Sequence, residues 1–457
     1  MTPLLLDSEL DALRPDHAKV EMGDGVQLET QVYLPVQGCA LPTVLIRDRI
    51  DSDIRAAFNR QMALGFAKFG LAAVVQHTRN SASRHGAADL LKQEAADGSH
   101  TVDWITQQPW SNGRVATWGE GFGGVTQWAL STVRHPAHRA MAPRMTERYG
   151  ASSLPVQSEA SIPVLHSIGF FDPARYEQLG NWETAQAGPA SGHQYLRAHA
   201  SDQRGYKWRE IGMKLERDFN ADPNALYEHM MRILAEPVSF LRHYLGDYPG
   251  PWVAPKVRYE IARNGWRGAK SWPPETSRRT DLYWKSGATQ VLSAAKDAAS
   301  SAWTLDITST APHTLQPIAD SLGAGDSNDS VVSAYTSVSS ADTPKLTWDL
   351  LLVGPTSIRL SLTPAAAGVP LVARLLDVHP DGVATVITEG ETLVPPGSDA
   401  GAFQIELGDV AYRVPRGHRI RALLAGERAR PETGAIEIAS ATLSLPLVQK
   451  NHPDFLR

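Results

Sequence analysis

The run Val115-Ala116-Thr117-Trp118-Gly119-Glu120-Gly121-Phe122-Gly123-Gly124 limits what this chain can become more than any other stretch of it. A short apolar strand passes without a break into a glycine-rich turn, and a helical pattern follows from Val125 to Val133. A strand that is apolar at every position is one covered on both faces, as in a parallel sheet. Glycines spaced along the turn let a helix leave the strand end more tightly than side chains would allow. Parallel strands need crossover helices, so the junction predicts neighbours of the same kind.

The neighbours are there. Val26 to Leu34 alternates after the turn Gly23-Asp24-Gly25, and Thr43 to Ile46 and Leu71 to Val75 are short buried strands around a helix over 56–69. A further helix spans 95–107, with Val102, Trp104 and Ile105 on its inner side. Beyond the junction come a strand over 162–169, a helix near 176–184, a strand over 195–198 and a long amphipathic region over 208–245. The turn Gly246-Asp247-Tyr248-Pro249-Gly250-Pro251 then marks a domain boundary. After it, short Val-, Ile-, Leu- and Thr-rich strands recur over 256–261, 280–284, 345–352, 356–362, 369–378, 383–388, 403–407, 420–424 and 441–446, with a loop expected over 321–330. The expected fold is α/β over residues 1–250, a mostly parallel sheet with helices on both faces, then a jelly-roll β-sandwich over residues 251–457.

A length of 457 residues exceeds one domain, and a formal net charge of -5 with no long basic run argues against nucleic acid. No segment has the apolar length of a membrane span, and Leu4-Leu5-Leu6 is too short for a secretory signal. With Cys39 as the single cysteine, the expectation is a cytoplasmic protein. No His, Cys, Asp or Glu group has metal-ligand spacing in sequence and no phosphate-loop lysine follows the glycines, so neither metal nor cofactor is expected.

The words around the junction are more specific than its shape. Trp110-Ser111-Asn112-Gly113-Arg114-Val115, then Gly119 to Gly124, then Val125-Thr126-Gln127-Trp128 closely resemble the cocaine-esterase and X-prolyl dipeptidyl-peptidase family. So do, in order, Met22 to Val26 with Tyr33-Leu34-Pro35, Gln76-His77-Thr78-Arg79, Gly169-Phe170-Phe171-Asp172, Ala373 to Val378 with Pro380-Asp381-Gly382, and Pro415 to Ile420. The resemblance covers nearly the whole chain. It implies an α/β-hydrolase domain whose nucleophile elbow is the junction, followed by a jelly roll.

The same register implies departures. The family attacks with Ser, relays the proton through His and orients that His with Asp. Here Gly121 stands at the nucleophile position, Asp172 matches the acid, and Asp202 takes the place of the histidine; a one-gap realignment brings His199 there instead. Ile50, after Arg47-Asp48-Arg49, stands where the family places an oxyanion tyrosine, leaving the Phe122 amide as a donor. The cap shrinks to 144–161, so the pocket is more open, or is closed by a partner in a homodimer.

The candidate catalytic residues are therefore Asp172, Asp202, His199 and His77. The candidate substrate-binding residues are Gly121, Phe122, Ile50, Arg49, Arg79, Phe171 and Glu120. Bland readings stand beside them: Asp202 in solvent or paired with Arg204, Glu120 paired with an arginine, His77 and His166 as hydrogen-bonded structural residues, Arg49 solvated. Three functions follow. The first is a small-molecule enzyme using acid/base chemistry for cyclisation, elimination or isomerisation in secondary metabolism. The others are a hydrolase that activates water directly and a non-catalytic binding or scaffold homologue.

Overall fold

The computed structural model describes residues 4–36, 38–79, 87–148, 161–202, 223–246, 252–262, 264–286, 290–294, 302–306, 338–362, 370–394, 402–426 and 435–449. The chain separates into two compact units, residues 1–198 with 202–256 and residues 199–201 with 257–457. The loop expected over 321–330, residues 149–160 of the reduced cap and residues 208–222 of the amphipathic region lie outside the described residues.

The first unit contains β1 (Asp16–Glu21), β2 (Gln27–Tyr33), β3 (Leu41–Asp48), β4 (Ala72–His77), β5 (Ser111–Glu120), β6 (His138–Arg144), β7 (Val164–Gly169) and β8 (Gln194–His199). Their order is β1-β2-β4-β3-β5-β6-β7-β8. β1 and β2 form an antiparallel pair and β2 meets β4 antiparallel; β4, β3, β5, β6 and β7 then run parallel. The helices are α1 (Asp7–Ala12), α2 (Asp53–Lys68), α3 (Ala87–Thr106), α4 (Phe122–Ser131), α5 (Arg175–Ala185) and α6 (Pro223–Tyr244). The Ser52 side chain caps α2 by accepting from the Arg55 amide, satisfying one of the otherwise orphaned first-turn donors.

Continuous apolar strands arise because each feeds two cores. Val44 and Ile46 of β3, Ala73 and Val75 of β4, and Ala116 and Trp118 of β5 join one cluster with Phe58, Met62 and Phe66 of α2 and Leu234 and Phe240 of α6. The alternate residues Leu45, Ala72, Val74 and Val115 join a second, with Val102 and Ile105 of α3 and Leu130 of α4. Trp118 sits between the Phe58 and Phe66 rings, 6.1 and 5.9 Å from their centres. β6 was not expected as a strand: His138-Arg139-Ala140-Met141-Ala142-Pro143-Arg144 mixes charge and proline, yet all but Arg139 are buried. Tertiary pairing outweighs its local composition.

The second unit is all-β: β9 (Val257–Ile261), β10 (Gly265–Ala269), β11 (Ser277–Lys285), β12 (Val291–Ser293), β13 (Trp303–Asp306), β14 (Val338–Asp342), β15 (Leu350–Leu362), β16 (Pro370–Val378), β17 (Ala384–Leu393), β18 (Ala402–Val414), β19 (Arg419–Gly426) and β20 (Ala435–Val448). β9 and β10 form an antiparallel pair. A large sheet follows the order β17-β16-β19-β14-β12-β11-β20-β15-β18, with β13 also on β20. The strands expected over 345–352 and 356–362 are one strand, β15. Gly354 and Pro355 pair in register with Val410 and Asp409 of β18, and the register shifts only between Thr356 and Ser357, without a break.

Candidate active site

At the strand–helix junction β5 ends at Glu120 and α4 starts at Phe122, with Gly121 between them at φ 61°, ψ -117°. That conformation is strained for any residue with a Cβ. A Cβ on Gly119 would stand 2.7 Å from the Gly123 carbonyl oxygen and one on Gly124 would stand 2.3 Å from Thr146 Oγ1. The glycines therefore let α4 sit on the ends of β5 and β6. The Gly121 amide donates to the Arg144 carbonyl at 3.1 Å, and its own carbonyl accepts from Gly124 at 3.0 Å and from the Glu147 amide at 3.3 Å. The tip of the turn thus carries backbone and no side chain.

Charged side chains surround this turn in pairs. The Glu120 carboxylate pairs with Arg144, the arginine partner held open in the sequence reading. Arg49 pairs with Glu147 and lies over the Phe122 ring, its Cζ 4.1 Å from the ring centre. Arg55 donates to Asp48 Oδ2 at 2.5 Å and to the Glu120 carbonyl at 2.7 Å. Asn59 donates to the same Asp48 oxygen at 3.0 Å. Asp48 Oδ1, also buried, has no side-chain hydrogen-bond partner among the described residues and faces the Gly123 position. Burial raises the Asp48 pKa, against the lowering effects of Arg55 and Asn59, and burial likewise raises that of Glu147, against Arg49.

The expected site residues divide. Ile50 turns inward and packs against the first core cluster. His77 ends β4 beside Asp48 in register, half-buried; desolvation lowers its pKa, so it is neutral at pH 7. Arg79 is engaged by Asp97 through Nε and Nη2 at 2.7 and 2.8 Å and also by the exposed Asp24, which places it in an ionic lattice that runs from the surface to the buried Asp97. Arg47 continues that lattice to Glu94, with Nη1 3.0 Å from Oε2. Phe122 and Phe171 are both buried.

Asp172 is buried after β7, where its Oδ1 accepts from the Ala174 amide at 2.9 Å and from Gln178 Nε2 at 3.0 Å. Gln178 also donates to the Thr146 carbonyl, which ties Asp172 to the strand end beside α4. Asp202 is buried too, so the solvent-exposed reading of it does not hold. His199, the last residue of β8, is grouped with the second unit and stacks edge-on against Trp266, with ring centres 5.0 Å apart. His166 is a buried core histidine: it bonds Gln194 at 2.9 Å and lies against Trp128, and desolvation lowers its pKa to about 4. With Thr146, Ser167, Gln178 and Asn181 it lines a small hollow of about 10 Å³, room for about one water rather than a substrate.

Four residues at the junction escaped the sequence reading: Asp48, Arg55, Arg144 and Glu147. Their only signal is position, at or just beyond the C-terminal ends of β3 and β6, the edge where open α/β sheets bind ligands.

The sheet order, the parallel core and the strained turn define the first unit as an α/β-hydrolase domain, with an all-β second unit of jelly-roll type. Residues 24–153 match the X-Pro dipeptidyl-peptidase (S15 family) and residues 252–429 match the X-Pro dipeptidyl-peptidase C-terminal non-catalytic domain. The chain belongs to this X-Pro dipeptidyl-peptidase and cocaine-esterase family. It is 33% identical over 128 residues to cocaine esterase from Rhodococcus sp. (strain MB1 Bresler), a stretch covering 28% of this chain and 22% of that enzyme. Among solved structures, an aminopeptidase from a marine sediment Thaumarchaeota archaeon superposes with TM-score 0.73 at 17% identity, covering 98% of each chain. A CocE/NonD family hydrolase from Staphylococcus aureus gives 0.69 at 16% identity, covering 95% of this chain and 94% of that one. At such identities the structural likeness concerns the fold. No helix among the described residues is long and apolar enough to cross a membrane.

Proposed function

We propose that this chain is a small-molecule enzyme on a hydrolase scaffold that works without a covalent serine intermediate and uses buried carboxylates for acid/base chemistry. The observation that carries the reading is Gly121 at the elbow tip, in the backbone conformation of a nucleophile position but with nothing to attack with. Burial raises the Asp48 pKa, the direction a general acid or base needs, and Asp48 lies beside the turn with one oxygen lacking a side-chain partner. Asp172 and Asp202 are the second pair of carboxylates in this reading, both buried, with Asp172 fixed by Gln178 and the first turn of α5. Cyclisation, elimination or isomerisation of a small molecule, in a secondary metabolic pathway, is the chemistry such groups support.

Membership in a hydrolase family favours one second reading: the same carboxylates activate water for direct ester or amide cleavage. A fluorophosphonate probe together with an aryl-ester panel tests the proposal on the whole chain. The expected result is no covalent labelling. Stoichiometric labelling of a serine would overturn it, whereas ester turnover without labelling, lost in Asp48→Asn or Asp172→Asn, would select the water-activating form.

A further inference from the structure

We infer a divalent metal site in the second unit, formed by Asp377, His379 and His418. Asp377 is at the end of β16, His379 is in the β16–β17 turn, and His418 immediately precedes β19. Sequence spacing hides the set, because Asp377 and His418 are 41 positions apart. The fold joins them: β16 and β19 are antiparallel neighbours, with Asp377 opposite Ile420. One ligand atom from each side chain lies within 4.8 Å of the other two. The absence of metal-ligand spacing in the sequence therefore does not carry over to three dimensions.

The geometry is that of a site near closure. His418 Nδ1 is 2.7 Å from Asp377 Oδ1, and His379 Nε2 is 3.9 Å from Asp377 Oδ2. Ligand atoms around a tetrahedral ion with bonds of about 2.0–2.2 Å stand roughly 3.3–3.6 Å apart. The two contacts are to different oxygens of Asp377, so binding an ion turns one carboxylate oxygen toward both rings as the 2.7 Å contact opens. The two imidazole rings are already tilted toward one another, 41° between planes and 4.6 Å between centres.

The carboxylate is buried at 1% exposure while both histidines are only half-buried, leaving the outer side free for a water as a further ligand. Supporting contacts orient the ligands, as metal sites require. The Tyr412 hydroxyl donates to Asp377 Oδ2 at 3.1 Å, while Thr385 Oγ1, 3.3 Å from His379 Nε2, gives up that contact when the nitrogen takes the ion. Two neutral imidazoles with one carboxylate suit Zn2+ and its neighbours rather than Ca2+ or Mg2+. The proposal is independent of the elbow chemistry.

The full chain, stripped with chelator and desalted, is titrated with Zn2+ alone, and bound metal per chain is measured. Co2+ provides a second probe through its four-coordinate visible spectrum. One equivalent should bind, with affinity at least tenfold weaker in His379→Ala and in His418→Ala. His379→Ala leaves the Asp377–His418 hydrogen bond in place, so a folded circular-dichroism spectrum with lost binding supports the site. Binding unchanged in both variants, or no binding by the unaltered chain, would overturn it and leave the three residues as a clasp between two turns.

Discussion

Gly121 concentrates the residue-scale argument. Placing a serine there supplies a hydroxyl, but an isolated hydroxyl is a poor nucleophile at neutral pH without a base beside it. In the proposed reading Asp202 stands at the base position and Ile50 at the oxyanion-donor position, so a restored serine meets neither an imidazole base nor a tyrosine donor. Gly121→Ser is therefore expected to hydrolyse aryl acetates no faster than the unaltered chain. It should also cost about 1–3 kcal/mol of stability, because a Cβ is forced into φ 61°. Esterase assays and urea unfolding of the variant check the two halves separately. Rapid turnover would show that His77 or His199 reaches the turn. Asp48 is the residue whose position in sequence said least, since between Arg47 and Arg49 it reads as an ordinary surface charge. It is buried at 2% exposure because β3 is central and its C-terminal end lies beneath α4 and beside α2.

Among the elements, the contact of α4 with β5 sets how sharply the turn bends. Gly119→Ala drives a methyl to 2.7 Å from a backbone oxygen that cannot rotate away, while Gly123→Ala meets its nearest atom at 3.4 Å. The first should destabilise the domain by roughly 2–4 kcal/mol, in the range of severe overpacking, and the second by much less. Paired chemical denaturation would show the order, and equal losses would mean that α4 shifts freely. The link between β3 and α3 rests on charge. Arg47 and Glu94 are almost fully buried, and Arg47 also bonds Gln76 Oε1 at 2.8 Å and the Glu94 carbonyl at 2.9 Å. Removing one partner alone, as in Arg47→Met, should cost about 3–5 kcal/mol by stranding the other charge, and Arg47→Met with Glu94→Leu should recover much of it. A double variant no more stable than the single would assign the loss to the Gln76 and carbonyl bonds instead.

At the scale of the whole molecule, buried histidines tie stability to pH. Desolvation lowers His166 to about 4 and, in the main, His138 to about 3, from 6.5. Each group is thus protonated more readily in the unfolded chain than in the folded one. Their contribution is complete above pH 6.5 and is lost as pH falls from there through the folded values. For His166 the loss amounts to roughly 3 kcal/mol. The unaltered protein should therefore lose stability relative to His166→Gln between pH 6.5 and 4, a difference readable by thermal unfolding across that window. A parallel pair of curves would mean that water reaches His166. Buried Asp48 and Glu94 act in the opposite sense: their folded pKa values are raised, so their favourable contribution is lost as pH rises through those values.

How much of this was legible beforehand follows from the range of the forces involved. Local pattern determined the parallel core of the first unit, because an apolar run covered on both faces and a glycine turn are properties of adjacent residues. The strands expected over 71–75 and 115–118, the helix carrying Val102 and Ile105, and the all-β character beyond residue 250 were all visible in that way. Strands whose burial comes from distant partners were not: β6 looks polar, β12 and β13 are short, and β15 runs through Gly354-Pro355 because β18 and β20 hold it on either side. The candidate site divides along the same line. The sequence alone determined that the elbow tip is a glycine and that an arginine partner for Glu120 was conceivable. Only the tertiary structure decided that Arg144 is that partner, that Arg79 is held by Asp24 and Asp97, and that Asp48 lies buried beside the turn. It also brought Asp377, His379 and His418 within reach of one ion. Charge pairing acts through space over a few ångströms, and only the folded chain sets which residues lie that close.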